Sequence, residues 1–106
     1  MRLVRHINEQ KIWLDDVRKA PSGWIHIKTV EDLIPFFEKN YNKIKEMSLD
    51  HDLGENIMSG YDFITWLEEK VFAGKYKTIP NIKIHSANPV GRKKMTQGLD
   101  SINRKI

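Results

Sequence analysis

Three short runs of apolar and β-branched residues in this chain, Lys11–Leu14, Lys45–Leu49 and Asn81–Ile84, each break off into a polar cluster. The clusters are Leu14-Asp15-Asp16-Val17-Arg18, Ser48-Leu49-Asp50-His51-Asp52-Leu53-Gly54 and His85-Ser86-Ala87-Asn88-Pro89. Carboxylates, imidazoles and small hydroxyl or amide groups recurring at strand ends are hard to explain by packing. In open α/β sheets, ligands bind beyond the carboxyl ends of the strands, where the strand order reverses. The pattern therefore predicts one composite site assembled from three separated stretches.

Amphipathic segments fall between these strands. Val30, Leu33, Ile34, Phe37 and Tyr41 make one helical face, with Thr29 as cap and Asp32 three residues on. Pro35 lies inside it and predicts a bend or a late start, because it removes a backbone donor. Gly60, Phe63, Ile64, Leu67 and Val71 form a second face, capped by Ser59 with Asp62 and stopped by Gly74. Met95, Leu99, Ile102 and Ile106 define a closing helix. With a further alternating run at Trp24–Thr29, the order β-β-α-β-α-β-α reads as an α/β fold, a small three-layer sandwich with about four mostly parallel strands. The seven residues Val17 to Gly23 are fewer than a parallel crossover normally uses. Extended, they reach about 23 Å, enough to return past a short strand without a helix, and an antiparallel edge strand stays open. Residues 1–10 read as an N-terminal arm or extra strand and 11–106 as a single domain.

A chain of 106 residues suits one modest core. No apolar run approaches the ~20 residues of a membrane span, the first residues lack the apolar stretch of a secretory signal, and a cytoplasmic location is expected. Without cysteine, disulfides, thiolate metal sites and cysteine nucleophiles are excluded. Residues 90–106 carry Arg92, Lys93, Lys94, Arg104 and Lys105 against Asp100 alone, so the whole net charge of +4 resides there. A cationic segment beside a carboxylate-rich site suits a phosphate-bearing ligand with a divalent cation between them. A solvated lysine-rich helix face is the plainer alternative, and no aromatic residues interleave to suggest single-stranded nucleic-acid stacking.

The clusters differ in what they offer. Asp15 and Asp16 reach one hard cation, Mg²⁺ or Mn²⁺, if the strand turns between them; otherwise they only start a turn. Asp50 and Asp52 share one strand face and need a cation or the Arg18 guanidinium nearby. His51 shares the other face with Leu49 and Leu53, which suits an imidazole packed under a helix. Ser86 and Asn88 can donate hydrogen bonds to phosphate oxygens. Arg92, in the first turn of the last helix, is unfavourable for the helix dipole and so a functional suspect.

In this order and spacing, together with Pro21-Ser22-Gly23-Trp24, Gly60-Tyr61-Asp62 and Val90-Gly91-Arg92, the clusters resemble the cyclic-phosphate-processing receiver family, a divergent relative of response-regulator receiver domains. The resemblance spans about Lys11 to Arg104. It implies a receiver-like (flavodoxin-like) sheet trimmed of the first helix and the fifth strand, acting on cyclic phosphates of nucleotides or RNA ends. Asp15 and Asp16 match the receiver's paired acids, Asp50 or Asp52 its phosphoryl acceptor, and Ser86 its small hydroxyl residue. The two histidines, unneeded in ordinary receivers, argue for hydrolysis or ligand binding over phosphorelay.

The expected function is thus a phosphoesterase that opens a cyclic phosphodiester. Either Asp15, Asp16, Asp50 and Asp52 hold one or two divalent cations, or His51 and His85 serve as general base and acid without metal. Candidate catalytic residues are His85, His51 and Asp50, with His85 preferred over His51. Arg18, Ser86, Asn88 and Arg92 are expected to bind phosphate, and no organic cofactor is expected. The alternatives are a non-catalytic module that captures a phosphorylated nucleotide, or one that docks a protein partner. Trp66 is the candidate for such docking, although beside Phe63 and Leu67 it reads as core.

Overall fold

The computed structural model describes residues 9–55 and 57–106. The expected arm or strand at residues 1–10 therefore lies mostly outside the described residues. Four strands and three α-helices follow in the order β1 (Gln10–Leu14), β2 (Ile25–Ile27), α1 (Val30–Asn40), β3 (Ile44–Leu49), α2 (Gly60–Phe72), β4 (Asn81–Ile84) and α3 (Pro89–Lys105). The sheet order is β2-β1-β3-β4, and every neighbouring pair is parallel. This is the receiver-like α/β fold expected from the sequence.

The register aligns the strand ends. Ile27, Leu14, Leu49 and Ile84 form one row across the sheet, and His26, Trp13, Ser48 and Lys83 form the row before it. Because side chains alternate along strands, the first of these rows lies on the apolar face. Ile12, Leu14, Met47 and Leu49 on that face are fully buried, in one cluster with Val30, Leu33 and Phe37 of α1, Phe63, Ile64 and Leu67 of α2, and Met95 and Ile102 of α3. Each fully buried aliphatic side chain contributes about 1.5–3 kcal/mol.

The opposite face holds Trp13, Ser48 and Lys83, and its layer is thin because the β1–β2 crossover has no helix. That crossover packs back on Trp13: the Trp13 Nε1 donates to the Arg18 carbonyl at 3.0 Å, and Trp24 meets the ring edge-on at 6.0 Å between centroids. The bare link is long enough, as its extended reach implies, and the parallel pairing of β2 closes the antiparallel alternative.

Local signals account for the helices. Thr29 caps α1, its hydroxyl accepting from the Asp32 amide at 3.1 Å. The helix begins at Val30, so Pro35 delays nothing. Pro35 and Glu31, whose carbonyl loses its partner to the proline, are both exposed, and water can satisfy that carbonyl. The Asp62 carboxylate accepts from the Ser59 amide at 2.7 Å at the start of α2, and Gly74 ends that helix at φ 84°, with Lys75 donating to the Lys70 carbonyl. Tyr41 falls in a 3-10 turn rather than on α1, and Ile106 lies past α3 and is exposed. Trp66 is half-buried and packs on the edge of the core against Phe37 and Phe63. No helix among the described residues is long and apolar enough to cross a membrane.

Candidate functional site

The chain runs from β1 to one side, into edge strand β2, and from β3 to the other, into β4. The gap beyond the β1 and β3 carboxyl ends is the point where the order reverses. Backbone hydrogen bonds carry the ladder one residue further: Asp15 N to Ile27 O (3.1 Å), Asp50 N to Leu14 O (2.9 Å) and His85 N to Leu49 O (2.9 Å). Asp15, Asp50 and His85 therefore form the next row, one from each expected cluster. Here a cleft of about 350 Å³ opens, lined by Asp15, Asp16, Asp50 and Asp52 with Val17, Arg18, Gly54 and Ala87. A larger cleft of about 420 Å³ lies at the amino end of the sheet, around Lys77–Ile82 and Leu99. It has no cluster of titratable groups, and chemistry favours the first.

Asp15 is the anchor, only 1% exposed. Its Oδ1 accepts from the Val17 and Arg18 amides, both at 2.8 Å, and its Oδ2 from His85 Nε2 at 3.0 Å. Burial opposes its ionisation, but those amides and His85 outweigh burial and hold its carboxyl below the ordinary value. The turn that wraps around Oδ1 also swings Asp16 into the cleft, where strand alternation alone would have sent it to the other face. One oxygen from each of Asp15, Asp16 and Asp50 lies within 4.8 Å of the others. Burial, then the neighbouring Asp15 charge, pushes the Asp50 carboxyl above its ordinary value, although the His51 amide donates to it at 2.8 Å.

The fourth acid departs from the expected ligand set. Asp52 lines the cleft but stands outside this trio. It accepts from His51 Nδ1 at 2.8 Å and more weakly from Asn88 Nδ2 at 3.4 Å, and the His51 bond leads in holding its carboxyl below the ordinary value.

Neither histidine lines the cleft directly. Both nitrogens of His85 are engaged: Nε2 with Asp15, Nδ1 with the Ser48 hydroxyl at 2.7 Å. Its ring also stacks on Trp13 at 3.8 Å with 7° between planes. His85 thus has both ring nitrogens engaged within the protein and does not line the cleft. His51 leaves Nε2 without a hydrogen-bond partner among the described residues, yet it packs under α3 against Gly91 and does not line the cleft. That position agrees with its strand parity.

The expected phosphate binders divide. Arg18 lines the cleft and spends one donor on the His85 carbonyl at 3.2 Å. Asn88 caps α3, its Oδ1 accepting from the Gly91 amide at 3.0 Å, and the buried Ser86 hydroxyl accepts from the Asn88 amide at 3.1 Å. Arg92 is tied to the Ser86 carbonyl at 2.8 Å and does not line the cleft. Ser86, Asn88 and Arg92 therefore build the loop under α3, and Arg18 alone of the four reaches the cleft.

Trp13 and His26 escaped the sequence reading of the site, and Ser48 stands in the second cluster without an expected role. Ser48 and Trp13 hold His85, and His26 Nε2 contacts the Asp15 carbonyl oxygen at 2.7 Å. Alternation offered the signal, since His26, Trp13 and Ser48 share the face of Asp15 and Asp50.

Residues 10–101 match the family model of the cyclic-phosphate processing receiver domain. The chain belongs to that family. No curated protein and no solved structure matches it at a significant level.

Proposed function

We propose that the chain binds and opens a cyclic phosphodiester, of a nucleotide or an RNA end, at the cleft beyond β1 and β3, with a divalent cation held by Asp15, Asp16 and Asp50. The observation that carries this reading is the convergence of those three carboxylates, all of them at least partly buried, within 4.8 Å. Oxygen donors alone suit Mg²⁺ or Mn²⁺, and of the two causes that raise the Asp50 carboxyl, burial and then the Asp15 charge, a cation would relieve the second. When bound, such a cation polarises phosphoryl oxygens and lowers the pKa of a coordinated water. Arg18 supplies a guanidinium whose remaining donors face phosphate oxygens. The metal-free scheme with His51 and His85 as base and acid has less support, since one is fully engaged and the other lies off the cleft.

The engagement of His85 also favours a second reading, capture of a phosphorylated nucleotide without turnover. One experiment separates them. The full chain is incubated with cyclic mononucleotides, cyclic oligonucleotides and RNA bearing 2′,3′-cyclic ends, with Mg²⁺, with Mn²⁺ and with chelator, and the ligand is recovered by chromatography. Opened product that disappears with chelator supports hydrolysis. Bound ligand recovered intact supports capture, and neither binding nor turnover of any of these removes both.

A further inference from the structure

Ser48 lies on β3 between Met47 and Leu49, both fully buried, and is itself 6% exposed. Its hydroxyl has one side-chain partner among the described residues, His85 Nδ1 at 2.7 Å. On the far side of the same ring, Nε2 meets Asp15 Oδ2 at 3.0 Å, and stacking on Trp13 at 3.8 Å fixes the ring plane. Trp13 is fixed in turn by its bond to the Arg18 carbonyl, and the Arg18 amide returns to Asp15 Oδ1. The chain of contacts thus begins and ends at one carboxylate.

We propose that Ser48 is a positioning residue for that carboxylate: its hydroxyl donates to His85 Nδ1 and so fixes the ring hydrogen on Nε2, which presents it to Asp15. The inference rests on the metal reading above and names a residue on which that site depends. Asp15 accepts from two amides at Oδ1 and from His85 at Oδ2, which leaves Oδ2 one lone pair for a cation. The direction of that lone pair depends on where His85 holds the oxygen. With the hydrogen on Nδ1 alone, the Nε2 lone pair would face carboxylate lone pairs at 3.0 Å, and Asp15 would have to rotate away. Groups that orient a metal ligand from behind in this way typically change metal affinity about 10–100-fold when removed.

The test uses the full chain, Ser48→Ala and Ser48→Thr. Nitrogen-15 spectra of the imidazoles report the position of the His85 hydrogen without metal, and calorimetry with Mn²⁺ reports the site. The expected result is hydrogen on Nε2 and a bare Nδ1 in the wild type, a redistributed hydrogen and roughly tenfold weaker Mn²⁺ binding in Ser48→Ala, and recovery of both in Ser48→Thr, which keeps the hydroxyl. A hydrogen found on Nδ1 in the wild type would overturn the proposal even if a variant failed to fold. So would Mn²⁺ binding of equal strength by wild type and Ser48→Ala. Absence of Mn²⁺ binding by the wild type would overturn the metal reading and this proposal together, and is distinguishable from either of the preceding results.

Discussion

Gly91, in the first turn of α3, lies flat against the imidazole of His51: a Cβ at position 91 would stand 2.4 Å from the ring Cγ. The ring cannot simply swing aside, because Nδ1 is bonded to Asp52 at 2.8 Å. Gly91→Ala is therefore expected to cost about 1–3 kcal/mol, the usual penalty of overpacking, measured by urea unfolding. If the ring yields, the His51–Asp52 bond breaks and the Asp52 carboxyl climbs back towards its ordinary value. A carbon-13 titration of Asp52 in the variant would show it. An unchanged midpoint with an unchanged Asp52 titration would mean the contact is looser than the geometry states.

Acid stability should report Asp15. Its folded-state pKa is depressed, burial being outweighed by the Arg18 and Val17 amides and by His85. The stability it contributes is present above the ordinary carboxylate value of about 4 and is lost as pH falls through its folded-state value. Asp50 works in the opposite sense: its raised value favours the protonated form, so its contribution is present below the ordinary value and is lost as pH rises through the folded-state one. Asp15→Asn should flatten the acid limb of a stability–pH curve, whereas Asp50→Asn should remove a loss on the neutral side. The same limb in wild type and Asp15→Asn would contradict the assignment.

Ligand linkage gives a direct check on the carboxylate trio. A cation bound only by the folded chain, at a hundredfold excess over its Kd, adds about 2.7 kcal/mol, which for a domain of this size raises Tm by several degrees. Mn²⁺ should therefore raise the wild-type Tm, and Asp50→Asn should abolish the rise while leaving the metal-free protein at least as stable. Asp52→Asn should keep most of the rise, since Asp52 stands outside the trio. Equal losses in both variants would restore Asp52 to the ligand set.

The sheet and its helices were legible because their signals are local and periodic: Val30, Leu33 and Phe37 bury as a helical face, and Leu14, Leu49 and Ile84 end their strands in one aligned row. Strand parity also placed His51 correctly, on the helix side with Leu49. Parity failed for Asp16, because the turn that closes on Asp15 Oδ1 redirects the next side chain. It also could not rank the histidines. His85 and Ser48 are 37 residues apart and His85 and Asp15 are 70 apart, so their bonds exist only once β1, β3 and β4 are in register. Likewise Arg92, which runs against the helix dipole, bonds to the Ser86 carbonyl, and Ser86 and Asn88 bond within the loop that leads into α3. Side-chain chemistry named the candidates, but register and turn geometry decided which of them face the cleft.

His85 also contributes to the fold, through its bonds to Asp15 and Ser48 and its stacking on Trp13. Replacing it with alanine leaves the buried Asp15 Oδ2 and the Ser48 hydroxyl without this partner and uncovers one face of Trp13. A buried acceptor deprived of its donor costs about 1–3 kcal/mol, more when charged, so His85→Ala should lose stability as well as cation affinity. The effect should be specific to the pair. In a double-mutant cycle with Asp15→Asn, the coupling energy from urea unfolding is expected at about 1.5–3 kcal/mol, the range for hydrogen bonds to charged groups. His51→Ala, by contrast, should leave Mn²⁺ affinity near the wild-type value, because the substitution keeps the backbone amide that donates to Asp50 and the His51 side chain bonds to the cleft lining through Asp52. A His85→Ala protein with wild-type stability and affinity, or a coupling energy near zero, would show that the His85–Asp15 contact does not hold the carboxylate in place.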